Sequence, residues 1–302
     1  MTPAGRPPWK PPDIPPDVSP LGIHVGTAGY SFADWAGHFY PPRAPPGEER
    51  AAGRDLLPCY QLYFSFLELG HTFYREPQAQ ECAELERRSK PGMRFSMKVH
   101  RDISHGGWDA ALGKARMLRH AAAVTPLAES GRFYSFLIQL DERAERSRKA
   151  LDYLLATASA ALGEGLDVHV EFRHRTWHQE AVLRALQDAG VGLCNPDLPY
   201  PQAFPLKAYA TSKKGYLRYY GRNAAAWAAD EGGPAERLQT RQARNDYLYS
   251  EAELRARIQG QLRLWDKTGA VAVVFKNHVR GQAARNAARN ARLMASARSA
   301  RR

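Results

Sequence analysis

Short apolar segments recur along the chain, and in several of them apolar and polar positions alternate as they do in a β-strand. These predicted strands lie at 22–30, 61–69, 93–100, 131–140, 168–173, 191–197, 215–220 and 270–275. Apolar residues at helical spacing predict intervening helices at 78–90, 108–128, 142–163, 179–189 and 250–264. Strands that alternate with helices in this way predict a single α/β domain with a parallel sheet. The two candidate architectures are a (β/α)8 TIM-type barrel and an open, doubly wound sheet.

The ends of the predicted strands favour the barrel. A polar side chain closes or nearly closes most of them, at Glu68, Lys98, Gln139, Glu171, Arg173, Asp197, Arg218 and Asn277. TIM barrels keep their active sites at the carboxyl ends of their strands. We therefore expect these side chains to converge on one cavity at that face.

The fifth strand carries the densest set of chemical groups, in the sequence VHVEFRHRTW at 168–177. Alternation places Glu171 and Arg173 on one face of this strand, with His174 and Trp177 in the loop beyond it. Two opposite charges on a buried face predict an ion pair. The two residues can belong to an active site, or they can form a purely structural ion pair inside the barrel. The sequence leaves both interpretations open.

The two ends of the chain differ in composition from the rest. Residues 1–20 contain eight prolines, which predicts an extended leader without packed structure. Seven of the twelve excess positive charges follow residue 279, where no acid occurs, at Arg280, Arg285, Arg289, Arg292, Arg298, Arg301 and Arg302. We therefore divide the chain into a disordered leader at 1–20, a barrel at 21–290 and a loosely attached basic tail at 291–302. Both ends are expected to be dispensable for folding. The tail can bind nucleic acid through phosphates, or it can be a solubilising helical end.

Composition also bears on compartment and redox state. No secretory signal pattern is present at the N-terminus, and no apolar run is long enough to span a bilayer, so a cytoplasmic location is expected. Cys59, Cys82 and Cys194 are odd in number and form no CxxC pair, which argues against a disulfide framework and a cysteine zinc site. We expect three reduced, packed thiols.

Seven segments, taken in order, carry a family resemblance: GTAGYSFADWAGHFYP, LELGHTFYREP, RFSMKVHRDISH, VEFRHRTW, the aspartate of the sixth strand, RYYGR and FKN. From residue 21 to about residue 288 the chain resembles the domain-of-unknown-function 72 family, the YecE-like proteins. This resemblance implies a TIM-type barrel and no established reaction. The family's recurrent polar positions fall here on Tyr30, Trp35, Glu68, Thr72, Tyr74, Lys98, His105, Gln139, Glu171, Arg173, His174, Trp177, Asp197, Arg218, Gly221 and Asn277.

The chain departs from the family pattern at several positions, and those at the ends of the seventh and eighth strands bear on the site. Tyr219 and Tyr220 stand where the family has Leu-His before the seventh-strand glycine, and Lys276 replaces the first of two paired asparagines in the eighth strand. Loss of the histidine removes any mechanism that depends on it. The added lysine makes the rim of the barrel more basic.

The strand-end residues suit an enzyme of the hydrolase or lyase type with an anionic or phosphorylated substrate. Glu68, Glu171, Asp197 and Lys98 are the candidate catalytic residues, since carboxylates can act as general bases and cations can neutralise phosphate oxygens. Paired carboxylates suit glycoside hydrolysis as well. The candidate substrate-binding residues are Tyr30, Trp35, Thr72, Tyr74, His105, Gln139, Arg173, His174, Trp177, Arg218 and Asn277.

Cofactor motifs are weak in this chain. Glu171, Asp197, His105 and His174 are possible ligands of a divalent metal, but no HxH, HxxxH or HExxH spacing supports them, and a metal site is not favoured. No nucleotide cofactor motif is present. The alternative function is nucleic-acid binding without turnover, in which aromatic side chains at the rim stack on bases and the basic tail grips the backbone. The candidate rim aromatics are Trp35, Tyr74, Trp177, Tyr219 and Tyr220.

Overall fold

The eight predicted strands form a closed parallel barrel in sequence order, with β8 hydrogen-bonded back to β1. The structure is a computed structural model, and it describes residues 10–42, 55–199, 208–228 and 234–301. The (β/α)8 prediction is confirmed, and closure of the sheet rules out the doubly wound alternative.

The strands are short and the helices between them vary in length. The strands are β1 (Ile23–Ala28), β2 (Phe66–Leu69), β3 (Arg94–Lys98), β4 (Phe133–Gln139), β5 (Val168–Glu171), β6 (Gly192–Asp197), β7 (Gly215–Tyr219) and β8 (Val271–Phe275). The helices are α1 (Leu57–Tyr63), α2 (Ala79–Arg88), α3 (Arg101–Ser104), α4 (Ala110–Glu129), α5 (Arg148–Gly163), α6 (Glu180–Asp188), α7 (Ala224–Ala228), α8 (Pro234–Asn245), α9 (Glu251–Thr268) and α10 (Gln282–Ser299).

Alternation along each strand separates two apolar layers. The outward-facing residues of the strands pack with the helices in one large core that includes Val25, Leu67, Val170 and Val273. The inward-facing residues form a smaller cluster with Phe66, Tyr134, Leu137, Cys194, Tyr216, Ala272 and Val274. Successive side chains of a strand point to opposite faces, so polar residues two positions beyond this inner cluster also face the barrel interior.

The second strand is shorter than predicted. Residues 57–63 are helical as α1, although a strand was expected from residue 61. Leu57, Tyr60 and Gln61 are buried, at the three- and four-residue spacing of one helix face. The Tyr60 hydroxyl donates to the Phe66 carbonyl at 2.7 Å and so ties the end of α1 to the start of β2. Glu68 keeps its predicted place near the end of this strand.

The C-terminal segment packs against the barrel, in contrast to the expected loosely attached tail. Helix α10 continues through the predicted boundary at residues 290 and 291, and Leu293 and Met294 on it are buried. Alanines line the same helix face and let it approach the strands closely, so few large apolar residues are needed to hold it. Of the arginines on this helix, Arg285 is exposed, and Arg289, Arg292 and Arg298 are partly buried.

At the other end of the chain, residues 1–9 lie outside the described residues. Residues 10–18 form no helix or strand, yet Val18 is buried. Among the described helices none is long and apolar enough to cross a membrane.

Candidate functional site

An ionic cluster lies inside the barrel near the carboxyl ends of the strands. Arg218 on β7 donates to Glu68 on β2 at 2.7 Å and to Glu171 on β5 at 2.6 Å. None of these side chains exposes more than 1% of its surface. A buried charge is costly unless it is paired, so the two carboxylates and the guanidinium stabilise one another.

Further polar side chains contact the cluster directly. Arg173 donates from Nε to Glu171 Oε1 at 3.0 Å, which confirms the ion pair predicted from the fifth strand. The Tyr220 hydroxyl donates to the same oxygen at 2.6 Å, and Gln139 accepts from Arg218 Nη1 at 3.0 Å. The Cys194 thiol lies 3.6 Å from Glu171 Oε2. Glu171 is therefore held by two arginines and a tyrosine.

Strand β7 supplies the centre of this arrangement because of its alternation. Tyr216, Arg218 and Tyr220 are spaced two residues apart and all point into the barrel. The Tyr216 hydroxyl lies 2.8 Å from Glu68 Oε2 and 2.6 Å from the Ser96 hydroxyl. Each oxygen of Glu68 therefore has its own donor, which fixes the orientation of the carboxylate.

A cleft of about 1370 Å³ opens above the cluster and extends over the β2 loop towards α2. Glu68, Lys98, Arg218 and Lys276 line its inner end. Aromatic side chains line the wall beside them, among them Tyr30, Phe32, Phe73 and Tyr74. The cleft therefore combines a charged floor with an aromatic wall, which is the composition of a small-molecule site.

The two lysines of the cleft have no acidic partner among the described residues. Lys98 Nζ lies 3.7 Å from the centre of the Phe73 ring, and Lys276 Nζ lies 5.0 Å from that of Tyr220. Arg173 Nη2 and Arg218 Nε are both buried, and neither has a hydrogen-bond acceptor among the described residues. Four cations thus face two carboxylates, and the floor has a positive excess when the lysines are protonated.

Burial and mutual repulsion determine how these groups titrate. Burial, and then Arg173 and Arg218, lower the pKa of Lys276 to about 7. Burial and the cation of Lys276 hold the pKa of Lys98 well below its usual value. Burial opposes ionisation of Glu171, but Arg218 and Arg173 outweigh it and lower its pKa to about 2. Glu171 is therefore a permanent anion at neutral pH and a poor general base.

Two of the strand-end residues that were expected to converge lie on the outer face of the barrel instead. Asp197 Oδ1 accepts from Arg222 at 2.6 Å and from Arg257 of α9 at 3.1 Å. Asn277 donates to the Tyr247 carbonyl at 2.5 Å and to Asn286 of α10 at 2.9 Å. Both are one residue out of phase with the inward-facing positions of their strands, so the expectation that they join the cavity is wrong.

The two tryptophans that were predicted to bind substrate are buried in the core instead. Trp35 is fully buried among aromatic residues and donates to the His278 carbonyl at 2.6 Å. Trp177 stacks on Phe172 at 4.5 Å and donates to the Ala144 carbonyl at 2.7 Å. Neither indole face is open to a ligand.

The remaining predicted residues divide between the cleft and its supports. Tyr30 and Tyr74 line the cleft, and 68% of Tyr74 is exposed. Thr72 lines it too, but its hydroxyl donates to the Lys98 carbonyl at 2.6 Å and so ties the β2 loop to β3. His105 lies beside the Phe73 ring, with 5.0 Å between centroids, and burial and the cation of Lys98 lower its pKa. His174 caps the turn at Arg175–Trp177.

The candidate metal ligands are dispersed. Glu171 is inside the barrel, Asp197 is outside it, and His174 belongs to a turn. Within the described residues no group of three or more His, Cys, Asp and Glu side chains is arranged as a metal site. Cys59, Cys82 and Cys194 form no disulfide with one another.

Sequence reasoning missed Tyr216 as a partner of Glu68 and placed Tyr220 at the rim, whereas it is buried against Glu171. It identified Lys276 only as a basic addition to the rim. Strand alternation was the available signal for all three. It places Tyr216 and Tyr220 on the same face of the seventh strand as Arg218. It also places Lys276 on the same face of the eighth strand as Ala272 and Val274.

Similarity to known proteins supports the assignment of the chain to a family. The chain is 23% identical over 276 residues to the UPF0759 protein YunF of Bacillus subtilis (strain 168), covering 87% of this chain and 92% of that protein. It is 29% identical to a DUF72 family protein of Thermotoga maritima MSB8 of known structure, with a TM-score of 0.75 over 90% of this chain and 99% of that one.

A second solved structure, of a DUF72 family protein from Enterococcus faecalis V583, is 24% identical with a TM-score of 0.73, and the match covers 90% of this chain and 95% of that one. These descriptions name a family and no reaction. The family model described as "Protein of unknown function DUF72" matches residues 24–301. The chain therefore belongs to the DUF72 family.

Proposed function

We propose that the protein is an enzyme of the hydrolase or lyase type that binds an anionic or phosphorylated small molecule at the carboxyl-terminal mouth of its barrel. One observation carries the proposal: Lys98 and Lys276 line the cleft without an acidic partner among the described residues. An anionic group on the substrate supplies the missing counter-charge. The unsatisfied nitrogens of Arg173 and Arg218 support the same conclusion.

The carboxylates of Glu171 and Glu68 have different roles. Glu171 is ionised and enclosed, so it holds Arg173 and Arg218 in place. Glu68 is the acid of the cluster that also lines the cleft, which makes it the group available for proton transfer with a bound substrate. The cations at the floor, preorganised by their burial, stabilise negative charge that develops on the substrate.

Nucleic-acid binding without turnover has less support. Trp35, Trp177, Tyr219 and Tyr220 are buried, which leaves Tyr74 as the one exposed member of the five proposed stacking residues. Several arginines of the C-terminal segment already have partners within the chain: Arg280 pairs with Asp246, and Arg301 with Asp266. In the described part of this segment, few arginines are therefore free to bind a phosphate backbone.

Ligand-induced stabilisation tests the proposal directly. Inorganic phosphate and a panel of phosphorylated sugars are added at constant ionic strength, and the melting temperature is compared with that in chloride. A ligand at 100 times its Kd stabilises the fold by about 2.7 kcal/mol, so a rise of several degrees is expected. Active compounds are then assayed for turnover.

Two variants locate the effect. Lys98→Met removes one of the cations from the cleft and should abolish most of the phosphate-dependent rise. Lys114→Met changes an exposed lysine of α4 and should leave it intact. If no anion raises the melting temperature of the wild-type protein beyond the chloride control, the proposal is wrong.

A further inference from the structure

Lys276 occupies an unusual position for a lysine. It follows β8 on the inner face, at the floor of the cleft and over the ring of Tyr220. The nearest acids are already engaged: Glu68 accepts from Tyr216 and Arg218, and Glu171 accepts from Arg173, Arg218 and Tyr220. Its amine is therefore enclosed among cations, and no described acid is left to pair with it.

This environment favours the neutral amine. Burial, Arg173 and Arg218 lower the pKa of Lys276 to about 7, so the unprotonated amine is accessible at neutral pH. An exposed lysine titrates near pH 10.4 and is almost entirely protonated there. A lysine desolvated beside other cations is an activated nucleophile towards carbonyl carbon.

Lys98 is the less suitable nucleophile of the two. Its ammonium lies 3.7 Å from the centre of the Phe73 ring, an interaction that depends on its positive charge. Among the charged groups that lower the pKa of Lys98, Lys276 is the strongest. Loss of the proton from Lys276 therefore removes the largest charge repulsion on Lys98, while burial continues to lower the pKa of Lys98.

We propose that Lys276 forms an imine with an aldehyde or ketone group of the anionic substrate, a step that rests on the proposed function and assigns it to the lyase type. The nitrogen lone pair of Lys276 adds to the carbonyl carbon, and the carbonyl π pair moves to oxygen. The carbinolamine then loses this oxygen as water, and both protons of that water come from the former amine by way of the cleft. The products, one imine and one water, balance the amine and the carbonyl.

The rest of the cleft suits this chemistry. Lys98 and the arginine pair hold the anionic group of the substrate, while Glu68 lines the same space and can carry protons between nitrogen and oxygen. Protonation of the imine gives an iminium ion, which withdraws electrons from the adjacent carbon–carbon bond. A cluster that binds an anion and activates an amine thus serves cleavage or formation of a bond next to a carbonyl.

Pyridoxal 5′-phosphate is a suitable probe because it carries an aldehyde and a phosphate on one small molecule. The full chain is incubated with it at pH 7.5 and then treated with borohydride, which delivers hydride to the imine carbon and leaves a stable amine. The modified lysine is located by peptide mass spectrometry. We expect one adduct per chain at low probe concentration, located on Lys276. The rate of labelling should rise with a midpoint near pH 7, and inorganic phosphate should compete.

Two variants make the assignment specific. Lys276→Arg keeps the positive charge but cannot form an imine, and it should lose at least nine-tenths of the labelling. Lys267→Met changes an exposed lysine near the end of α9 and should label as the wild type does. Circular dichroism confirms that both variants fold, and a second substitution, Lys276→Met, replaces the arginine variant if that one does not.

The outcomes separate the two proposals. If phosphate stabilises the protein but the adduct lies on Lys98 or is spread over exposed lysines, the imine at Lys276 is excluded while anion binding stands. If phosphate neither stabilises the protein nor competes with labelling, the proposed function fails, whichever lysine reacts. Labelling of Lys276 that phosphate suppresses supports both.

Discussion

The guanidinium of Arg218 and the carboxylate of Glu171 lie 2.6 Å apart inside the barrel, and neither side chain has any exposed surface. They come from β7 and β5, 47 residues apart in sequence. Arg218 bridges to Glu68 as well, so a single arginine connects the carboxylates of two strands. The pair expected from the fifth strand, Glu171 with Arg173, is therefore one edge of a larger cluster that supports the floor of the cleft.

Replacement of Glu171 by glutamine should destabilise the protein strongly. The amide keeps the shape of the side chain but leaves Arg173 and Arg218 without their shared counter-charge in the interior. We expect a loss of about 3–5 kcal/mol in the free energy of unfolding, measured by urea denaturation. Glu145→Gln is the matched control, since 73% of the Glu145 side chain is exposed, and it should change stability little. A loss below about 1 kcal/mol for Glu171→Gln would show that the pair is not truly desolvated.

The same carboxylate predicts a loss of stability in acid. The folded-state pKa of Glu171, about 2, lies below its ordinary value of 4.5, so the ionised form favours the fold. Its contribution is complete above pH 4.5 and is lost as the pH falls from 4.5 towards 2. The shift corresponds to about 3 kcal/mol. Urea denaturation of the wild type and of Glu171→Gln across this range should give a steeper decline for the wild type, and parallel curves would contradict the assignment.

His169 predicts a second, higher window of acid sensitivity. It is fully buried, lies 2.6 Å from the Ser135 hydroxyl and 2.9 Å from the Lys214 carbonyl, and burial lowers its pKa from 6.5 to about 4. The neutral ring stabilises the fold above pH 6.5, and this contribution is lost as the pH falls from 6.5 to 4. His169→Gln should reduce the slope of unfolding free energy in that range by up to about 1.4 kcal/mol per pH unit. His38→Gln, at an exposed position, is the control variant.

Asp197→Asn should weaken the fold without weakening ligand binding. Asp197 accepts from Arg222, Arg257 and the Tyr249 hydroxyl on the outer face of the barrel, and its replacement disturbs this contact between β6 and α9. We expect a cost of about 1–3 kcal/mol and an unchanged phosphate-dependent rise in melting temperature. Loss of that rise in a folded Asp197→Asn protein would return this carboxylate to the candidate site.

Met294→Ala tests whether the C-terminal helix belongs to the barrel. Met294 has no exposed surface, and its truncation leaves a cavity between α10 and the strands. The expected cost is about 2–5 kcal/mol, measured as a shift in the urea midpoint. Arg285→Ala, on the exposed side of the same helix, is the control. If Met294→Ala shifts the urea midpoint no more than Arg285→Ala does, the segment from residue 291 is dispensable for folding, as its composition predicts.

Local sequence determined much of this architecture. Apolar segments of strand length, separated by helical spacing, identify a parallel α/β domain because burial on both faces of a strand requires such runs. Ser250 and Glu253 predict the start of α9, and the structure has the capping box there. Alternation alone places Glu171 with Arg173 on one face, and it places Arg218 inside the barrel.

Tertiary structure decided which of the strand-end residues meet. The position of a residue along its strand determines how close it lies to the carboxyl-terminal end of the barrel. Asp197 and Asn277 lie near that end, as Glu68 does. The side chain's direction depends on its phase within the strand, and a shift of one residue turns it from the interior to the helices. The contact of Arg218 with Glu68 joins residues 150 positions apart, which only closure of the barrel brings together. The pairing of charges follows from that closure and not from any local pattern, and so do the two lysines that lack an acidic partner among the described residues.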